Sequence, residues 1–415
     1  YYAQLLRSAI IHNELVNNGV PDVRGVWLSE VGLQQLIFVS IKQRYAGHAK
    51  QAGLIACQCR GGAYMGRYVI VVDEDIDPTN IQEVIDDISK NNENLQHRLD
   101  ILEKKTDDII WYQRVGDVAY IDKIYITGPP SVKNYENKTA MGVNNPIQFW
   151  NYVFIPKGID YSKKYPLIVL PHGGVHGDLT TYYTHIIKEL IYQEYIVVAP
   201  EYRGSTGYGK TYYERIDYGG LEVEDVFSAK NHMVDNYDFI DANRVGIIGW
   251  SHGGLIALMN IFEHPDDFAV AFAGVPVSDL ISRMGYYTDD YRELYSVDYH
   301  IGKTAYENVE EYKKRSPAWN THKFENTPLL IHTNTNDDDV NVLEVEHLIK
   351  SLKADKKKFE YEIFKDIPGG HSFDRIDTKV GREIRLKIWK FLAKELDPNQ
   401  PIDNMSEMIK ASYLK

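Results

Sequence analysis

The chain has 415 residues, 44% hydrophobic and 25% charged, the composition of a soluble globular protein long enough for one large and one small domain or for two to three ordinary ones. Its net charge of −13 excludes a nucleic-acid partner, which needs a basic face. No apolar run reaches the roughly 20 residues of a membrane span, and no secretory signal opens the chain. The cytoplasm is therefore the default expectation, left open because the first residue is Tyr1, as in a processed or truncated chain.

Residues 1–90 read as a small α/β unit. Residues 35–41 form a strand candidate, 47–57 a helix and 68–72 a strand. Asp77-Pro78-Thr79 starts a second helix, with proline in its first turn. The two cysteines, Cys57 and Cys59, are next-but-one neighbours, a poor geometry for a disulfide and half a metal site at most. They read as small buried hydrophobes.

SIKQRYAGHAKQAG (40–53) and GRYVIVVDEDIDPTNIQEV (66–84) resemble the UbiD-like decarboxylases, which act on aromatic and unsaturated acids with a prenylated flavin. The resemblance covers a downstream fragment of that family and stops after Val84. The flavin site and catalytic residues lie upstream in the family, so no decarboxylase activity or cofactor is carried over. His48 and Lys50 read as structural.

KNNE (90–93) is polar and turn-like, the expected junction between units. Leu95, Leu99, Leu102 and Ile109 then follow an amphipathic helical period ending near Trp111. Residues 91–145 read as a connector: this helix, a strand over 119–127 and a loop-rich stretch from Gly128-Pro129-Pro130 to Asn145-Pro146. No repeat of about 40 to 50 residues is visible, so no β-propeller is expected.

Residues 146–397 alternate regularly. Strands are expected at 147–155, 167–170, 196–199, 245–248, 269–275, 329–332 and 359–364. Helices are expected at 181–193, 220–236, from 255, 342–352 and 382–396, followed by a tail over 398–415. This alternation predicts a mostly parallel, doubly wound sheet covered on both faces, with chemistry in the loops at the carboxyl ends of its strands.

Between the strand 245–248 and the apolar helix after it lies Gly249-Trp250-Ser251-His252-Gly253, a Gly-x-Ser-x-Gly match. Such a turn holds a serine in a strained, exposed conformation, and its glycines let backbone segments pass closely. A serine nucleophile needs a base, and the base needs an acid to orient it. His371 lies in the loop Pro368-Gly369-Gly370-His371-Ser372-Phe373 after a strand, the expected place for the base. His347 falls on an amphipathic helix and reads as structural. The acid is expected after the strand 329–332, among Asp337, Asp338 and Asp339. Oxyanion donors are expected from the backbone N–H of His252 and from Pro171-His172-Gly173-Gly174, where the Gly174 backbone rather than the His172 ring is the candidate. The glycine-rich EYRGSTGYG (201–209) lacks P-loop or dinucleotide spacing and reads as a cleft-lining or structural loop.

HGG (172–174), YRGSTGYG (202–209), GWSHGG (249–254), DDDV (337–340) and GGHSF (369–373) together resemble the prolyl oligopeptidase family of serine peptidases, over residues 92–397. The resemblance implies an α/β-hydrolase fold and selects Asp337, three residues before Val340, as the acid. It implies a Ser251–His371–Asp337 triad, oxyanion donors at Gly174 and His252, and a peptide or acylated amino acid as substrate. No metal or organic cofactor is implied. A carboxylesterase would use the same triad, and a decarboxylase-related subunit rests on residues 1–84 alone. Two resemblances on one chain suggest a fusion whose first unit is a passenger. The oligomeric state is not legible.

Overall fold

Short β-rich runs set the first part of the chain. The computed structural model describes residues 23–31, 34–41, 52–57, 67–72, 81–131 and 145–413. Two compact units divide at Glu93 and Asn94. In the first, β1 (Val23–Val31), β2 (Gln34–Ile41), β3 (Ala52–Cys57) and β4 (Arg67–Val72) pair antiparallel in that order. The helix expected over 47–57 is corrected: 52–57 is β3, paired on both sides. A run this short has no helical period to impose, so its neighbours decide its form. Residues 47–51 with His48 and Lys50, Cys59, and the helix start at 77–79 lie outside the described residues.

Helix α1 (Ile81–Val115) runs without interruption through the division. KNNE lies inside it rather than in a turn; none of the four residues is Gly or Pro, so nothing breaks the helical hydrogen bonds. The leucine stripe is helical as expected, but it faces outward. Trp111 and Val115 are buried instead, with Trp111 packed edge-on to Phe154 at 5.1 Å.

Runs such as LIV, IVVA and VAFA carry no polar residue, so strands built from them need cover on both faces. They sit in an eight-stranded sheet of β5 (Ala119–Pro130), β6 (Pro146–Pro156), β7 (Tyr165–Val169), β8 (Ile196–Pro200), β9 (Ile240–Trp250), β10 (Val270–Gly274), β11 (Leu329–Asn334) and β12 (Glu360–Phe364). The order is β12-β11-β10-β9-β7-β8-β6-β5. The strands from β7 to β12 pair in parallel, and β6 and β5 close one edge antiparallel. β5 runs on through Gly128-Pro129-Pro130, expected as loop, because an edge strand tolerates proline.

The helices are α2 (Thr184–Tyr192), α3 (Lys210–Tyr213), α4 (Leu221–Asn236), α5 (His252–Glu263), α6 (Leu280–Tyr286), α7 (Asp289–Ser296), α8 (Val309–Lys314), α9 (Val342–Ala354), α10 (Lys379–Leu396) and α11 (Met405–Ser412). One core joins α4, α5 and α9 through Val226, Leu255 and Leu348. The other joins α2, α10 and α11 through Ile187, Trp389 and Met408. This is the α/β-hydrolase arrangement, doubly wound as expected. The expected tail ends in α11, capped by the Asn404 side chain, which accepts from the Glu407 N–H.

Candidate active site

Ser251 follows β9 and stands at the N-cap of α5 with φ 60° and ψ −123°. A non-glycine residue with positive φ costs about 1–3 kcal/mol, so the surroundings must hold it. Its N–H donates to Gly274 O at 2.9 Å, and its carbonyl accepts from Leu255 and Val277 N–H at 3.1 Å each. The flanking glycines are obligatory. A Cβ on Gly249 would lie 2.1 Å from Gly253 O, and one on Gly253 would lie 2.3 Å from Pro171 O.

The strand order β12-β11-β10-β9 brings the loops after β9, β11 and β12 to one end of the sheet. His371 sits in a tight turn after β12, where Gly369 and Gly370 both have positive φ. Its Nδ1 lies 2.9 and 2.8 Å from Oδ1 and Oδ2 of Asp337. The Asp337 side chain is fully buried, and its Oδ1 also accepts N–H bonds from Asp339 at 2.9 Å and Val340 at 2.8 Å. Asp338 is exposed. His371 Nε2 is buried and makes no hydrogen bond, which leaves it as the atom able to take a proton. Bonds between a nucleophile and its base often tighten only with substrate in place.

The loop after β7 passes over the serine turn. A Cβ on Gly173 would meet Trp250 O at 3.0 Å and Ser251 Cβ at 3.3 Å, and Gly174 turns the chain with φ 95°. The His252 N–H opens α5, where no intrahelical acceptor exists for it. Two histidines, His172 buried and His176 half-buried, brace the loop. His172 Nε2 lies 2.8 Å from Ser205 Oγ, its ring stacks on Tyr202 at 4.2 Å, and Tyr202 OH donates to His172 O. His176 Nδ1 lies 2.8 Å from Gly204 O, with its ring stacked on Tyr213. Burial pushes both down to about 4, so both are neutral at pH 7.

Residues 201–209 form a brace rather than a phosphate cradle. Arg203 makes paired bonds of 2.7 Å to both oxygens of Asp225. Glu201 and Asp178 receive the Lys104 ammonium of α1 at 3.0 and 2.9 Å. His347 donates its role to structure as well, with Nδ1 2.7 Å from Asp279 Oδ2.

Residues 181–399 match the prolyl oligopeptidase family. The chain belongs to that family. Human dipeptidyl peptidase 8 is 29% identical over 246 residues, 57% of this chain and 26% of the relative. The acylamino-acid-releasing enzyme of Arabidopsis thaliana is 28% identical over 257 residues, 60% of this chain and 33% of the relative. The chain thus spans a quarter to a third of the length of these prolyl oligopeptidase relatives. A puromycin-hydrolyzing peptidase of Mycobacterium tuberculosis shares the fold with a TM-score of 0.55 at 20% identity, over 91% of this chain and 53% of that one. Residues 1–114 match the C-terminal domain of 3-octaprenyl-4-hydroxybenzoate carboxy-lyase. That match extends past Val84, where the resemblance was expected to stop, and takes in most of α1. It contributes no residue to the serine site.

One feature of this prolyl oligopeptidase site carries no sequence motif. Arg283 on α6 bonds Asp339 Oδ1 at 2.7 Å and lies 3.4 Å from Glu344. Tyr287 OH also donates to Asp339 Oδ1, at 2.5 Å. Burial pushes the Asp339 carboxyl up, but Arg283 and then His371 outweigh it and hold it below the usual range. Its Oδ2 lies 3.9 Å from His371 Nε2, so a fixed carboxylate borders the imidazole. The run of three aspartates was the only trace of it in the sequence. Among the described residues, no cluster of His, Cys, Asp or Glu could hold a metal ion, and no helix is long and apolar enough to cross a membrane.

Proposed function

We propose that the chain is a serine hydrolase that cleaves peptide or acyl-aminoacyl bonds through an acyl-enzyme. The carrying observation is the buried Asp337 carboxylate bonded to His371 Nδ1 while Nε2 makes no hydrogen bond, at the same sheet end as the strained Ser251. In this reading His371 Nε2 takes the Ser251 hydroxyl proton as Oγ attacks the substrate carbonyl. Asp337 fixes the tautomer and stabilises the imidazolium. The N–H groups of His252 and Gly174 stabilise the oxyanion. The imidazolium then protonates the leaving amine, and water releases the acyl group by the same steps.

The choice of peptide and acyl-aminoacyl bonds rests on the named relatives, a dipeptidyl peptidase and an acylamino-acid-releasing enzyme. The test is hydrolysis of aminoacyl and N-acetyl-aminoacyl anilides beside simple aryl esters, with Ser251→Ala as control. Anilide cleavage abolished by the substitution is the expected result. Cleavage of esters alone would replace this reading by a carboxylesterase. No turnover, together with no labelling of Ser251 by a fluorophosphonate, would refute a working triad.

A further inference from the structure

Helix α1 has 35 residues, about 52 Å of helix, roughly three times the usual length. On it Leu95, Leu99, Leu102 and Ile109 are 41, 52, 60 and 63% exposed. Single exposed leucines need no explanation, but four in one line do. Their spacing belongs to a strict seven-residue repeat. Ile85, Asn92, Leu99 and Thr106 occupy one core position of the heptad, and Ile88, Leu95, Leu102 and Ile109 the other. A straight helix drifts about 20° per heptad against such a repeat, so a sustained seven-residue stripe suits a left-handed supercoil with another helix.

The opposite face is already occupied. His97 packs edge-on to Tyr213 at 4.9 Å, Lys104 is buried on Glu201, and Trp111 and Val115 are buried. These residues lie at heptad positions remote from the stripe. The helix can therefore take a partner along its leucines without leaving its own domain.

We propose that α1 pairs in parallel with the α1 of a second copy of this chain. Two observations select that occupant. Arg98 and Glu103 flank the stripe five residues apart, the spacing at which a parallel dimer brings each against the other on its partner, twice by symmetry. Both are exposed, and among the described residues neither has an ion-pair partner in its own chain. Asn92 is the second. In a parallel pair its amide meets the other Asn92 and the two can bond. In an antiparallel pair it would face an aliphatic side chain and lose that bond. Thr106, the other polar core residue, already bonds Leu102 O at 2.8 Å.

The test is the mass of the full chain by size-exclusion chromatography with light scattering at micromolar concentration. The expected mass is twice 47.8 kDa. Leu95→Glu with Leu102→Glu should return the single-chain mass while thermal unfolding stays cooperative, since both positions are exposed. Arg98→Glu should weaken the dimer roughly fivefold, and adding Glu103→Arg should restore it. A single-chain mass at every concentration, as when another domain covers the stripe, overturns the proposal. So does a dimer that survives the two leucine substitutions. A doubly charge-reversed chain as weak as Arg98→Glu alone overturns the parallel register.

Discussion

Lys104 is the most deeply paired charge of α1, and replacing it by methionine isolates that charge. The ammonium bonds Asp178 at 2.9 Å, Leu179 O at 2.6 Å and Glu201 at 3.0 Å. Burial alone pulls it down, but Glu201 and Asp178 raise it above its ordinary value. Glu201 is fully buried, and burial pushes it to about 7 even with Lys104 beside it. Lys104→Met keeps the aliphatic stem that packs under Gly207 and removes what is, among the described residues, the only cation on Glu201. Breaking one side of a buried pair costs about 3–5 kcal/mol, because the remaining charge is uncompensated. Adding Glu201→Gln should recover more than half of that loss. The assay is the urea midpoint of unfolding at pH 7.5 for the wild type, the single and the double variant. The pH dependence has a definite sign. A carboxyl raised in the folded state stabilises fully below its unfolded value near 4.5, and that contribution is lost as pH rises through about 7. The Lys104→Met penalty should therefore shrink at pH 5.5. A single variant within about 1 kcal/mol of wild type, or a double variant weaker than the single, would refute the argument.

Asp337→Asn should lower kcat by about 10³ to 10⁴, since the amide holds the wrong His371 tautomer, whereas Asp338→Asn should stay within about twofold; anilide hydrolysis checks both. Gly253→Ala places a methyl 2.3 Å from Pro171 O, so a loss of about 2–3 kcal/mol or more is expected in the urea midpoint, together with loss of fluorophosphonate labelling. His172 is depressed to about 4 by burial, so the unfolded chain binds its proton first as pH falls from about 6.5 towards 4, and stability drops across that window. His172→Gln should flatten that drop, measured as the difference between midpoints at pH 7 and pH 5.

The geometry around Ser251, Asp337 and His371 was more legible than the chain that carries it, and the reasons are physical. Gly249 and Gly253 have no substitute where a Cβ would meet a carbonyl oxygen, so the turn around Ser251 announces itself. Likewise Val340 follows Asp337 at the spacing that lets its N–H bond the carboxylate, which separates Asp337 from its two neighbours. No such local constraint acts on Arg283 or Lys104, whose partners lie 56 to 97 residues away in sequence. Helix α1 shows why polarity is a poor guide to burial. Its period was readable, but the period tells only which residues lie together, not what covers them. The leucines lie on one face as that period requires, yet the domain took the face of Lys104, Asp107 and Asp108. Those charges meet partners there: Glu201 for Lys104, the Thr181 N–H for Asp107, and Lys123 for Asp108. The dimer mass and the Lys104→Met midpoint therefore test the two faces of one helix independently.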